Sequence, residues 1–364
     1  MQIKEIVRTI EQFAPPALQE SYDNAGLIVG DAEKSVSSAL ITVDVTEDVV
    51  DEAIEKDAGL IISHHPVIFG GLKKLTGRTY VERIVLKAIK HDIALFSAHT
   101  NLDKTQGGVN FKIAEKLALQ NVSILMPEEN QLLKLVYFVP KAHVEKTRKA
   151  VFEAGAGSIG QYDECSYNLE GTGTFRAGDA ANPFVGDKGV RHEEQEIRVE
   201  TILPSYLKAT ILSALINAHP YEEVAYDLYP LENSYHLAGL GVIGDLSKPA
   251  DELSFLTLLK ERFQAKGIRY TALRNKPVKR VAICGGSGAS FLSAAISQRA
   301  DIYVSADFKY HQFFDADGKI VIADVGHYET EQVTKELFYD LLSKKFPKFA
   351  LYLSERNSNP INYL

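Results

Sequence analysis

The chain has 364 residues, a formal net charge of −8 and an apolar fraction of 45%, a length and composition that allow two or three globular domains. The acidic balance argues against broad electrostatic binding to nucleic acid or to anionic lipid, and no window approaches the roughly 20 apolar residues of a membrane span. The two cysteines, Cys165 and Cys284, lie far apart and outside any metal-binding pattern, as free thiols of a reducing compartment do. The first residues lack the apolar core of a signal peptide, so the cytoplasm is the expected location.

In chain order, Ile3, Ile6, Val7, Ile10 and Phe13 recur at helical spacing. An apolar run predicts a strand over 38–45, and Thr46 is placed to cap a helix over 47–57 that starts with acidic residues. Leu60, Ile61, Ile62 and Ser63 form a short buried strand, followed by a Gly/Lys-rich loop over 69–79. A helix near 80–90, a strand over 93–97 and a helix near 108–118 complete the segment. Continuous apolar strands alternating with amphipathic helices imply a parallel sheet covered on both faces.

The middle reads differently. A strand at 133–139, a helix at 141–154, a strand pair near 161–176, a strand at 194–203, a helix at 205–218 and a strand at 222–230 give the split-βαβ, ferredoxin-like order. The polar, Gly-rich stretch 177–193 reads as a loop. The α/β style then returns, with strands at 280–284, 302–305, 320–324 and 349–353 and helices near 290–299 and 328–343. The expected architecture is a discontinuous α/β domain with mostly parallel sheets, in halves at 1–127 and 237–364. An α+β ferredoxin-like module at 128–236 interrupts it.

His64 and His65 end the strand at 60–63 abruptly before Pro66. Two imidazoles at the carboxyl end of a core strand point to a metal, because open α/β sheets bind ligands in the crevice at those ends. Asp103 follows the strand at 93–97, and His327 follows the strand at 320–324 with Glu331 one helical turn later. Three imidazoles and two carboxylates exceed the needs of one tetrahedral zinc. They suit two divalent cations about 3.5–4 Å apart, as in two-metal hydrolases. His99 reads equally as a hydrogen-bonding support, a proton shuttle or a core histidine.

Four segments carry a resemblance: 22–30 (YDNAGLIVG), 63–66 (SHHP), 97–103 (SAHTNLD) and 326–331 (GHYETE). In that order they resemble the NIF-three-like dinuclear-metal proteins, also known as GTP cyclohydrolase I type 2 homologues. The middle segment, with its 219–223 stretch (HPYEE), resembles the insert of the longer members, similar in fold to PII and CutA-like modules. Tyr22 stands where many members have tryptophan. The resemblance implies His64, His65, Asp103, His327 and Glu331 as ligands, with Asp103 and Glu331 bridging, and a homohexamer. His-rich ligation favours zinc or iron, with manganese or magnesium as alternatives.

The reaction class implied is hydrolysis of a purine nucleotide, for which His99 is the candidate proton carrier; Lys73, Lys74 and Arg78 read equally as a solvated loop and as groups that attract an anionic substrate. A non-catalytic reading, a hexameric metal-binding or ligand-sensing scaffold, stands beside it. Gly285, Gly286, Ser287 and Gly288, between a strand and a helix, read as a tight packing turn or as a phosphate cradle.

Overall fold

The computed structural model describes residues 1–364. The chain forms two compact units, residues 1–126 with 238–364, and residues 127–237.

In the first unit the apolar runs become the centres of two sheets. One has five strands in the order Gly26–Val29, Ala94–Ser97, Leu60–Ser63, Ser38–Thr42, Ala350–Leu353. The last four run parallel, and Gly26–Val29 closes the edge antiparallel to Ala94–Ser97. Every residue of Ser38–Thr42, Leu60–Ser63 and Ala94–Ser97 is buried, as strands covered on both faces must be.

The other sheet has six strands in the order Arg269–Tyr270, Val321–Asp324, Ile302–Ala306, Val278–Ser287, Tyr235–Ala250, Gln120–Glu128. Its three central strands are parallel. Arg269–Tyr270 and Tyr235–Ala250 flank them antiparallel. The parallel core is the one expected; the flanking strands make this sheet mixed.

Local signals explain where the helices begin. The Thr46 hydroxyl accepts from the backbone N–H of Val49 (3.2 Å) and opens the helix Glu47–Glu55. Thr79 does the same for Glu82 and the helix Tyr80–Lys90. Helix Ile3–Phe13 buries Ile3, Ile6 and Ile10, one stripe of its surface. Ile62, Phe96, Val281 and Val304 from the two sheets share one core with Ile113 and Phe338 from helices Val109–Lys116 and Val333–Lys345. The helix expected over 328–343 is two, His327–Glu331 and Val333–Lys345, separated at Gln332.

The second unit is a four-stranded antiparallel sheet in the order Ser166–Arg176, Arg191–Pro204, Leu132–Pro140, Tyr226–Leu231. Helices Val144–Glu153 and Lys208–Ala218 alternate with the strands in sequence. Their Val151, Ile211 and Leu215 pack with Leu135, Tyr137, Val139, Ile197 and Val199.

Candidate metal centre

The carboxyl ends of strands from both sheets of the first unit deliver the side chains. After Leu60–Ser63 the backbone N–H groups of His64 and His65 both donate to the Val43 carbonyl (3.1 and 3.0 Å). That shared acceptor holds the two consecutive imidazoles in the crevice. Asp103 comes from the short helix Thr100–Lys104 that follows Ala94–Ser97. His327 and Glu331 bound the short helix that follows Val321–Asp324.

Each of four histidines has its Nδ1 tied to an oxygen. His64 Nδ1 lies 3.0 Å from the Ala98 carbonyl, His65 Nδ1 2.7 Å from Asp44 Oδ1, His327 Nδ1 2.6 Å from Asp307 Oδ2, and His99 Nδ1 2.9 Å from Asp23 Oδ1. An imidazole that donates from Nδ1 presents Nε2 as its ligating atom, which is the arrangement that supports metal-bound histidines.

Those Nε2 atoms converge. His65 Nε2 is 3.3 Å from His327 Nε2. Glu331 Oε2 lies 2.9 Å from His65 Nε2 and 3.0 Å from His327 Nε2. Glu331 Oε1 is 3.7 Å from His64 Nε2, and Asp103 Oδ1 is 3.6 Å from the same nitrogen. Five residues from three separate parts of the sequence thus meet in one cluster.

A cation fits this point on two observations. His64 Nε2 and Glu331 Oε2 are buried and make no hydrogen bond, although Glu331 Oε2 has two ring nitrogens close by. Buried polar atoms are rarely left so; the contacts between them are close without being aligned N–H···O hydrogen bonds. Two Nε2 atoms facing each other at 3.3 Å, each ring already donating from Nδ1, are reconciled by a cation that both can ligate. The candidate ligand atoms of His65, His327 and Glu331 lie within 4.8 Å of one another, as do those of His64, His65 and His99.

The charges answer one another. Burial pushes the His64 pKa down to about 4, against the opposing pull of Glu331, so its imidazole is neutral. Burial also opposes charge on His65 and His327, but their carboxylate partners outweigh it and raise them to about 10 and about 11. Burial and the Glu331 charge hold the Asp103 carboxyl well above the usual carboxylate range. Glu331 itself is held well below that range, since the surrounding imidazoles overcome its burial.

Gly286 makes room for Glu331. Its φ is +61°, and a Cβ there would lie 2.0 Å from Glu331 Oε1 and 3.2 Å from His327 Nε2. The amide of Gly286 donates to Thr330 Oγ1 (3.0 Å) and that of Gly285 to Asn110 Oδ1 (2.8 Å). The amides of Gly285 and Gly286 are therefore already used, as in a packing turn. Gly286→Ala is expected to displace Glu331 and to destabilise the fold by roughly 1–3 kcal/mol, which thermal unfolding checks.

The five residues expected as ligands lie together in this cluster; not all of the groups that hold them were expected. Asp44 sits within the strand expected over 38–45, where it reads as a strand residue; it is the partner of His65. Asp23 supports His99 and also accepts from the Thr100 backbone and hydroxyl. The signal available for Asp44 was a carboxylate at a strand end, and for Asp23 its place in the 22–30 segment. His99 lies with its ring centroid 5.3 Å from those of His64 and His65. Lys73, Lys74 and Arg78 fall on an exposed stretch before the helix Tyr80–Lys90. A cavity of about 580 Å³ opens beside His65 and His327, walled by Phe69, Tyr80 and Pro66 and edged by Asp44 and Glu47; no lysine or arginine lines it.

The profile of the Duf34/NIF3 (NGG1p interacting factor 3) family matches residues 1–360. A Bacillus subtilis (strain 168) protein named GTP cyclohydrolase 1 type 2 homolog is 39% identical over 99% of this chain and 98% of its own length. Its namesake from Listeria monocytogenes is 37% identical over the same shares. Among solved structures, a Bacillus cereus protein related to NIF3 superposes with a TM-score of 0.87 at 37% identity, covering 100% of this chain and 99% of its own. A Staphylococcus aureus protein gives a TM-score of 0.79 at 29% identity over the same shares. No helix is long and apolar enough to cross a membrane. A family profile over nearly the whole chain, and relatives alike in sequence and fold from end to end, make this chain a member of the Duf34/NIF3 family.

Proposed function

We propose that His64, His65, Asp103, His327 and Glu331 hold two divalent cations, zinc or iron by the chemistry of the donors. On this reading the chain is a metal-dependent hydrolase acting on a purine nucleotide, as the name GTP cyclohydrolase 1 type 2 homolog of its relatives implies. The observation that carries it is the convergence of Nδ1-anchored imidazoles on the buried Glu331 carboxylate. Such cations, when bound, lower the pKa of water toward neutrality and stabilise oxyanion charge in a transition state.

The remaining work falls to the chain. Asp23 holds His99 by Nδ1, and Phe69 packs edge-on against its ring at 5.6 Å. His99 Nε2 is thereby set to accept and return a proton beside the cluster. The cavity next to His65 and His327 offers Phe69 and Tyr80 to a planar ring. Its lining has no cation for phosphates, so the anion-attracting role rests with Lys73, Lys74 and Arg78 on the neighbouring exposed stretch. We further propose that residues 128–236 are an inserted module and that the protein is a homohexamer, for which light scattering should give the mass of six chains, not one.

Incubating metal-loaded protein with a panel of purine nucleotides tests the activity. Turnover is expected with at least one of them, lost in Asp103→Ala. In His99→Gln it should fall while metal content stays. If no nucleotide is turned over, the hydrolase reading fails and the metal-binding scaffold remains. The support of His65 has its own test. Asp44→Ala is expected to weaken metal affinity about 10–100-fold, the usual cost of removing such a partner, in a titration against a chelating dye.

A further inference from the structure

The second unit contains a cavity that the metal reading leaves unused. In its sheet, Leu135, Tyr137, Val139, Ile197 and Val199 face the helices, so strand alternation turns Phe138 and Glu196 to the opposite face. The segment expected as a polar loop over 177–193 covers that face. The Asn182 backbone N–H donates to Glu222 Oε1 (2.7 Å), and that of Gly189 to the Ala177 carbonyl (2.7 Å). Between loop and sheet lies a cavity of about 500 Å³, large enough for a small molecule.

Its lining is of two kinds. Phe175, Tyr221 and Phe184 form a continuous aromatic wall, with ring centroids 6.3 Å apart for the first pair and 6.1 Å for the second. Three carboxylates, Glu196, Glu222 and Glu223, outnumber the one guanidinium, that of Arg176, which is exposed and paired in register with Arg191 at the strand ends. Glu196 lies across Gly173, where a Cβ would come within 2.2 Å of Glu196 Oε2. The absence of a side chain at Gly173 is what lets that carboxylate lie over the strand. The Tyr221 hydroxyl is buried and makes no hydrogen bond. Burial and the adjacent Glu196 push its pKa up, so it keeps its proton and offers an oxygen lone pair.

We propose that this cavity binds a small organic cation, an alkyl- or arylammonium, whose N–H groups donate to Glu196 and to the Tyr221 oxygen while its body lies on the aromatic wall. An ammonium over aromatic faces is attracted by their quadrupole, and a charge-assisted hydrogen bond to Glu196 orients it. An anion would meet an excess of like charge. A purely apolar ligand would leave the Glu196 carboxylate facing the cavity with no cation to answer its charge.

Isothermal titration of the full-length, metal-loaded protein with benzylammonium, agmatine and spermidine tests this, with benzoate and AMP as anionic counterparts. At least one of the three cations is expected to bind saturably at one per chain. Glu196→Gln should weaken it about tenfold or more, the value of a hydrogen bond to a charged group, and Tyr221→Phe less. Phe184→Ala, on an exposed loop residue, should also weaken binding and serves if circular dichroism shows Glu196→Gln unfolded. Binding of none of the three cations overturns the proposal. So does preference for benzoate or AMP, or wild-type affinity in a folded Glu196→Gln or Phe184→Ala. Because the readout is binding in the second unit, it is independent of whether the first unit is catalytic.

Discussion

Replacing Glu331 with alanine is expected to strip the cluster of its metal. Glu331 is only 3% exposed, and it is the one group within 4 Å of three imidazoles, those of His64, His65 and His327. Its charge opposes the repulsion that cations or imidazoliums would otherwise exert on one another in a buried site. Elemental analysis after dialysis should fall from near two equivalents per chain to a small fraction of that, and His64→Ala should behave alike. Glu331→Gln separates charge from packing: it keeps the volume, removes the charge, and is expected to lose the metal as well. Full metal in a folded Glu331→Ala would end the ligand assignment.

The second large effect is on pH. Without metal, His65 and His327 are held protonated by Asp44, Asp307 and Glu331, which overcome burial and raise their pKa values to about 10 and about 11. Ligation at Nε2 must displace one proton from each. Metal affinity should therefore climb by about tenfold per pH unit for each displaced proton, about a hundredfold for the two, until the pH nears their pKa values. The metal-free fold runs the other way. Both folded-state pKa values lie above the ordinary 6.5, so their stabilisation is fully present below that pH and is lost as pH rises through about 10 and about 11. Competition with a chelator between about pH 6 and pH 9, beside unfolding of the metal-free protein over the same range, checks both slopes. A flat affinity profile would contradict the protonation scheme.

What was legible in the sequence follows from local physics. Ser38–Thr42, Leu60–Ser63 and Ala94–Ser97 are short and wholly buried, so they stand out in the sequence as continuous apolar runs. The strand Gly26–Val29 is only half-buried along its length, and Gln120–Glu128 alternates exposed and buried positions irregularly; neither has a clean period. The 16-residue strand Tyr235–Ala250 crosses what composition reads as a domain junction. The site was legible because its residues sit at strand ends, where topology gathers them. Its supports were not, because a hydrogen bond such as His65 to Asp44, 21 residues apart in sequence, is set by tertiary geometry. The same holds for Ser358, whose hydroxyl donates to Asp44 Oδ2 at 2.8 Å from 314 residues away.

Anomalous scattering from a crystal of the zinc-loaded protein, recorded at the zinc edge, would locate the cations themselves. Two peaks about 3.5–4 Å apart are expected, enclosed by His64, His65, Asp103, His327 and Glu331. A loaded crystal with no peak at that cluster, or with its metal bound elsewhere on the chain, would contradict that ligand assignment.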